Sequence, residues 1–155
     1  MFSFISGRDL KEILDSGYLI IGIRNIPSET IYLPDSVGRP GFCYELAKIY
    51  ADYLNVELKI HIVDSFVDYW TKNGEIVLKK EHAETPDIYG KVDVVADIIT
   101  VTPERKKIVN MIPFIENAEI LYARKDIEAQ DFNDLKGKKI ITGEAFNFYY
   151  SLIKN

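Results

Sequence analysis

Covalent staples are missing from this sequence: its 155 residues include a single cysteine, Cys43. An intramolecular disulfide is therefore excluded, and no C-x-x-C spacing offers a zinc or redox site. A basic excess is missing too. The formal net charge is −5 and the pI about 5.1, so no basic stripe could neutralise phosphates, which argues against a nucleic-acid partner. The longest apolar runs, such as Tyr18 to Ile23, fall far short of the ~20 residues needed to cross a bilayer. No block recurs at a fixed spacing, which argues against a repeat architecture. Met1-Phe2-Ser3-Phe4-Ile5-Ser6 lacks the length and the basic start of an export signal. The 47% hydrophobic and 28% charged residues are ordinary for a globular chain and exclude disorder. At about 100–200 residues per domain, the length allows one domain or a small two-lobed body.

The hydrophobic pattern predicts alternating helices and strands. Asp9 to Ser16 reads as a short helix with Leu10, Ile13 and Leu14 on one face, stopped by Gly17. Tyr18 to Ile23 is a continuous apolar run of strand length, the mark of a strand covered on both sides. A loop from Asn25 to Gly41 follows. Phe42 to Leu54 places Phe42, Leu46, Ile49, Tyr50, Tyr53 and Leu54 at helical spacing, with Asn55 as a stop. Val56 to Val63 reads as a second strand, and Asp64 to Thr71 as a helical segment capped by Asp64 or Ser65. The charged stretch from 72 to 90, with Asn73-Gly74 and Pro86, reads as a surface excursion containing a small hairpin through Glu75 to Leu78. Further strands are expected at Val92–Ile99, Ala118–Arg124 and Lys138–Thr142. Helical turns are expected at Pro103–Ile108 and Asp131–Leu135, and a helix from Phe146 to Ile153. Alternation of this kind predicts right-handed crossovers on a mostly parallel sheet, an α/β sandwich. Such sheets bind ligands beyond the carboxyl ends of their strands. The loops 24–41, 99–104 and 142–147 should then carry the function.

The richest chemistry lies in Thr100-Val101-Thr102-Pro103-Glu104-Arg105-Lys106-Lys107. Thr102 suits an N-cap, Pro103 the first helical position, and Glu104 the positive end of the helix. Two readings stand side by side. One is a well-capped helix with solvated basic residues. The other is a carboxylate receptor, in which Arg105 clamps both oxygens while Thr100 and Thr102 add neutral hydrogen bonds. A lysine at position 105 would lack the fixed fork of the guanidinium.

Three segments carry a resemblance. They are Gly41-Phe42-Cys43-Tyr44-Glu45-Leu46-Ala47-Lys48 continuing to Asn55-Val56, Gly90-Lys91-Val92-Asp93 running on to Arg105, and Asp134-Leu135-Lys136-Gly137-Lys138-Lys139. In this order they resemble the type 2 extracytoplasmic (periplasmic) solute-binding proteins of bacterial family 3, the amino-acid-binding family. The lead-in from Asp9 to Leu19 also resembles the solute-binding-like domain of membrane-bound lytic transglycosylases. The resemblance implies a periplasmic-binding-protein type 2 sandwich with lobe one nearly complete and lobe two only begun. Residues 1–115 would form lobe one, 116–126 a hinge-strand region and 127–155 the start of lobe two. A truncated chain, a minimal form, and completion of lobe two by exchange with a second chain, giving a homo-oligomer, stand open as explanations.

The resemblance also implies a small ligand in an interlobe cleft. Arg105 would hold its α-carboxylate with Thr100 beside it, and the stretch from Gly143 through Ala145, Phe146 and Asn147 would offer backbone amides. Phe66, Tyr69 or Trp70 could flank the cleft. The departures are specific. Arg24 stands where amino-acid binders carry an aspartate for the ligand's ammonium, Cys43 replaces the aspartate of Gly-Phe-Asp, and Ile98 replaces a glycine. Arg24 and Arg105 near one cleft would suit a di-acid or another anion; an Arg24 turned to solvent is the plainer alternative. His61 and His82 have no ligand spacing around them, so no metal is expected, and no cofactor either. Asp93 and Asp97 share a strand face, where capping or hinge roles compete with acid–base work.

The implied function is non-enzymatic: an extracytoplasmic module capturing a carboxylate-bearing ligand, for an ABC permease or as the sensor domain fused to a membrane signalling module. The alternative is a non-catalytic accessory domain of a cell-wall lytic transglycosylase. A dehydratase on the same scaffold is the third reading. A periplasmic or extracellular location follows from the resemblance, with the export signal not present in this chain.

Overall fold

The amino-terminal helix shows how local chemistry sets an element. In α1 (Leu10–Ser16), Asp9 accepts the Glu12 amide while the Glu12 carboxylate accepts the Asp9 amide, and Gly17 ends the helix at φ 73°. The computed structural model describes residues 7–36, 38–78, 80–116 and 124–142. The chain divides into two compact units, Met1–Asn110 and Met111–Asn155.

The first unit is mixed α/β around a parallel sheet. Strand β1 (Tyr18–Arg24) lies centrally between β2 (Glu57–Val63) and β5 (Val94–Val95), both parallel to it. Helix α2 (Phe42–Leu54) makes the crossover from β1 to β2 and ends on Asn55 in the left-handed region. Leu19, Ile21 and Ile23 of β1 are fully buried in one cluster with Ile13 of α1 and Cys43, Ala47 and Ala51 of α2. Burial of side chains this size contributes about 1.5–3 kcal/mol each. Gly22 points to the other face, where an added Cβ would meet the methyls of Val92 at 3.4 Å and of Val63 at 3.6 Å.

In this unit three expectations need correction. The face that α2 presents to the core is the small-residue stripe Cys43, Ala47 and Ala51, one residue per turn. Phe42, Leu46, Ile49, Tyr50 and Tyr53 are exposed, Tyr53 at 83%. Small side chains let a helix lie close on a sheet, so the bulky apolar residues are displaced outward. The stretch from 72 to 90 is more than a surface excursion. Strands β3 (Thr71–Lys72) and β4 (Glu75–Ile76) form the hairpin around Asn73-Gly74, both at positive φ. Behind it, Val77, Leu78, Pro86 and Ile88 are buried, and the 3₁₀ turn Asp87–Gly90 packs on the turn Phe66–Trp70. The strand expected at Val92–Ile99 shrinks to β5, held to β1 at its margins by Asp93 N–H to the Ile20 carbonyl and Ala96 N–H to the Gly22 carbonyl. Beyond those bonds the chain leaves the ladder.

In the second unit, Asp131 caps the 3₁₀ turn Phe132–Leu135 with a reciprocal box to Asp134. No strand forms at Lys138–Thr142, where Ile141 is 90% exposed. The strand expected at Ala118–Arg124 falls almost wholly outside the described residues, and the helix expected at Phe146–Ile153 entirely so.

Candidate ligand site around Phe66

Ser65 starts the site. Its hydroxyl accepts the Val67 amide while the Asp68 carboxylate accepts the Ser65 amide, which holds the turn Phe66–Trp70. Phe66 meets the rings of Tyr69 and Trp70 edge-on, with centroids 5.9 and 6.2 Å away. Two guanidinium carbons face the same Phe66 ring, Arg24 at 5.2 Å and Arg105 at 5.4 Å from its centroid. Arg24, Phe66 and Arg105 are thus brought together.

The two arginines differ in their partners. Arg24 is neither turned to solvent nor held in reserve for an anion. Its Nε donates to Asp97 Oδ2 at 2.5 Å and its Nη2 to Oδ1 at 2.8 Å. The Asp97 side chain is fully buried, and it also accepts the Tyr69 hydroxyl at 2.9 Å and the Ile98 amide at 2.7 Å. Hydrogen bonding to Asp97 raises the Arg24 pKa above its ordinary value, and burial pushes the Tyr69 phenol upward with Asp97 adding to the effect. A carboxylate this fully engaged replaces the reading of Arg24 as a second clamp for a di-acid.

Arg105 belongs to α3 (Pro103–Lys106), whose N-cap Thr102 accepts the Arg105 amide at 3.2 Å. The capped-helix reading therefore holds, but Arg105 is not a solvated basic residue: it is 2% exposed. Its Nη1 donates to the Thr100 carbonyl at 2.7 Å, and its guanidinium carbon lies 4.8 Å from the Trp70 ring centroid. Burial pushes the Tyr89 phenol up to about 12, opposed by the positive charge of Arg105. Thr100 takes part through its backbone, while the Thr102 hydroxyl serves as the cap. Ala145, Phe146 and Asn147 lie outside the described residues.

The Arg24–Asp97 pair is the part that residue-by-residue reading missed; Tyr69 and Trp70 are among the residues expected to flank the cleft. The signal for the pair was the strand register. Gly22 is opposite Val95, and two residues further along each chain stand Arg24 and Asp97, on one face. At the other end of β5, Asp93 accepts Arg8 Nε at 2.9 Å, Arg8 Nη2 at 2.5 Å and the Ile20 amide at 2.7 Å. Asp93 and Asp97 therefore clasp two arginines at either end of a two-residue strand and do not act as a carboxylate pair. Among the described residues no three His, Cys, Asp or Glu side chains gather as a metal site. The first amides of α2 are also committed: Phe42, Cys43 and Tyr44 donate to the carbonyls of Glu29, Thr30 and Ile31. The loop 25–41 caps that helix from within the chain.

Cys43 supplies a pH prediction. Burial pushes its thiol up to about 11 and the negative Asp97 adds to this, with Arg24 opposing. Unfolded, the thiol ionises near 9. Between these values the folded chain holds a proton that the unfolded chain has lost. Its contribution is therefore complete below pH 9 and falls as pH rises toward 11. Thermal melts from pH 7 to 10.5 should show a decline above pH 9 that Cys43→Ala reduces; an unchanged slope in the variant would exclude the thiol as its source.

No family model matches the chain, and no solved structure matches it significantly. Curated proteins do. Membrane-bound lytic murein transglycosylase F of Pseudomonas fluorescens is 30% identical over 147 residues, covering 91% of this chain and 27% of that protein. The proteins of the same name from Aeromonas hydrophila and Aeromonas salmonicida are 32% and 33% identical over 141 residues, each covering 87% of this chain and 25% of the relative. This mixed α/β chain is thus similar along most of its length to membrane-bound lytic murein transglycosylases F, and spans about a quarter of the length of the relatives it matches.

Proposed function

We propose that this chain is a solute-binding-like, non-catalytic module of a membrane-bound lytic transglycosylase, working outside the cytoplasmic membrane. In this reading the fold is the periplasmic-binding-protein type 2 sandwich, with residues 1–115 as lobe one, 116–126 as hinge and 127–155 as the start of lobe two. The module takes a small carboxylate-bearing ligand at Arg105, and bond cleavage in the cell wall falls to residues outside this chain. The observation that carries the proposal is the similarity to lytic transglycosylase F over 91% of the chain. The buried Arg105 supports the ligand chemistry. A guanidinium oriented by the Thr100 carbonyl and two aromatic faces has its fork set before a ligand arrives, which lowers the ordering cost of binding. Delivery to an ABC permease, or service as a sensor domain, rests on the family resemblance alone.

Calorimetry of the chain with amino acids, dicarboxylates and muropeptides tests the binding role. Arg105→Ala should weaken the best ligand about ten- to a hundredfold, the value of a charge-assisted hydrogen bond. Incubation with peptidoglycan sacculi tests the rest: no soluble muropeptides are expected. Their release by the chain would overturn the non-catalytic assignment, and ligand affinity indifferent to Arg105→Ala would remove that residue from the site.

A further inference from the structure

Strand β2 (Glu57–Val63) is an edge of its sheet, paired with β1 along its whole length and, among the described residues, with no strand on its other side. The Glu57 N–H donates to the Gly17 carbonyl, so Glu57, Lys59, His61 and Val63 turn their main-chain groups toward β1. By strand alternation Leu58, Ile60 and Ile62 turn theirs outward, where no described segment bonds to them. The same three residues form an apolar row. They stand opposite Leu19, Ile21 and Ile23, yet the cover that buries that β1 row completely stops short of β2: Ile60 is 37% exposed and Ile62 41%. An open edge with bulky aliphatic side chains is a template for another strand, and a lysine directed off the edge is a common guard against such pairing. Here Lys59 does not stand guard. Its ammonium lies 3.6 Å from the centroid of the Tyr18 ring, drawn inward over β1.

The symmetry of the row selects the partner. A two-fold axis through Ile60 sets two β2 edges antiparallel, with Ile60 opposite its own copy and Leu58 opposite Ile62 on either side. These are the residues with outward main-chain groups, so each opposed pair can exchange both of its hydrogen bonds. The neighbouring two-fold registers fail. One centred on Leu58 needs the Val56 N–H, which already donates to the Ala51 carbonyl at 3.0 Å. One centred on Ile62 sets Asp64 against Ile60. Charge does not oppose the match about Ile60, because each edge carries one acid, Glu57, and one base, Lys59.

We propose that β2 pairs with β2 of a second copy of this chain, antiparallel about Ile60, joining two sheets into one. A strand edge and three side chains fall short of the ~800 Å² per partner of a stable complex, so the dimer is weak and reversible. The contact is independent of the Arg105 reading and of any exchange of lobe two.

Sedimentation equilibrium of the full chain between about 10 µM and 1 mM, the range of weak complexes, tests the pairing. The average mass should climb with concentration from 17.8 kDa toward twice that value. Ile60→Lys sets like charges directly opposite each other and should raise the dissociation constant at least about tenfold. Ile60→Pro removes the central outward N–H, a change that an edge strand tolerates, and should do the same. Ile49→Lys, on the exposed face of α2, should leave the constant unchanged. Oxidation reads the register. Ile60→Cys should cross-link into a disulfide dimer, since directly opposed residues lie about 5.5 Å apart. Lys59→Cys should not, because its own copy sits on the diagonal, about 7–8 Å away. Cys43 is buried and stays out of the reaction. A chain that is monomeric at every concentration overturns the proposal and leaves the edge to a strand of different sequence. So does a dimer indifferent to both Ile60 variants, or one dispersed by Ile49→Lys alone, which would place the contact on α2. Cross-linking of Lys59→Cys as efficient as that of Ile60→Cys overturns it too. If Ile60→Pro does not fold, Ile60→Lys decides, since that position is already part-exposed.

Discussion

Asp97→Ala is expected to lower the free energy of unfolding by about 3–5 kcal/mol, the usual cost of removing one partner from a buried ion pair. The substitution would strip two hydrogen bonds from Arg24, one from the buried Tyr69 hydroxyl and one from the Ile98 amide. The Arg24 side chain is only 14% exposed, so water would solvate the orphaned charge poorly. Asp97→Asn should cost less, because its amide oxygen can still accept from Tyr69. The double variant Arg24→Met with Asp97→Leu should recover much of the loss, since apolar replacements of buried pairs are often neutral or better. Urea denaturation with an unchanged m-value checks all three. A loss below about 1 kcal/mol for Asp97→Ala would match a solvent-screened surface pair and would contradict the buried clasp.

That clasp also shows where sequence reading stops. The stops of α1 and α2 were legible because their signals are local, Gly17 and Asn55. The apolar run of β1 was legible because only a strand covered on both faces tolerates it. The face of α2 was not. Two apolar stripes share that helix, and which one meets the sheet depends on how closely the backbones approach, a tertiary quantity that favoured Cys43, Ala47 and Ala51. The same limit hid the burial of Val77, Leu78 and Ile88, which hangs on the hairpin turning them back over the segment Phe66–Trp70. The expected strand at Val92–Ile99 was too long because β-propensity does not register two aspartates leaving the ladder for Arg8 and Arg24. At the site, the Thr-x-Thr-Pro-Glu-Arg segment announced the cap and the position of Arg105, since caps are read from adjacent residues. The partner of Arg24 required the β1–β5 register.

Gly41→Ala is expected to destabilise the chain by on the order of 4 kcal/mol. Gly41 sits at φ 110° and ψ 140°, a backbone region that side chains beyond glycine enter only with strain. An added Cβ would lie 2.5 Å from the Ile31 carbonyl oxygen and 2.7 Å from Tyr32 Cα. Both are backbone atoms, so no rotamer change relieves the overlap. The loop must move, and its movement withdraws the Glu29, Thr30 and Ile31 carbonyls from the first amides of α2. Strain of about 1–3 kcal/mol then adds to weakened bonds worth about 0.5–1.5 kcal/mol each. Gly17→Ala supplies the control. Gly17 is also left-handed, at φ 73°, but nothing lies within 4 Å of its added Cβ, so only the conformational cost of about 1–2 kcal/mol remains. Chemical denaturation of the two variants side by side separates the contributions. If Gly41→Ala costs no more than Gly17→Ala, the loop does not press on the helix start.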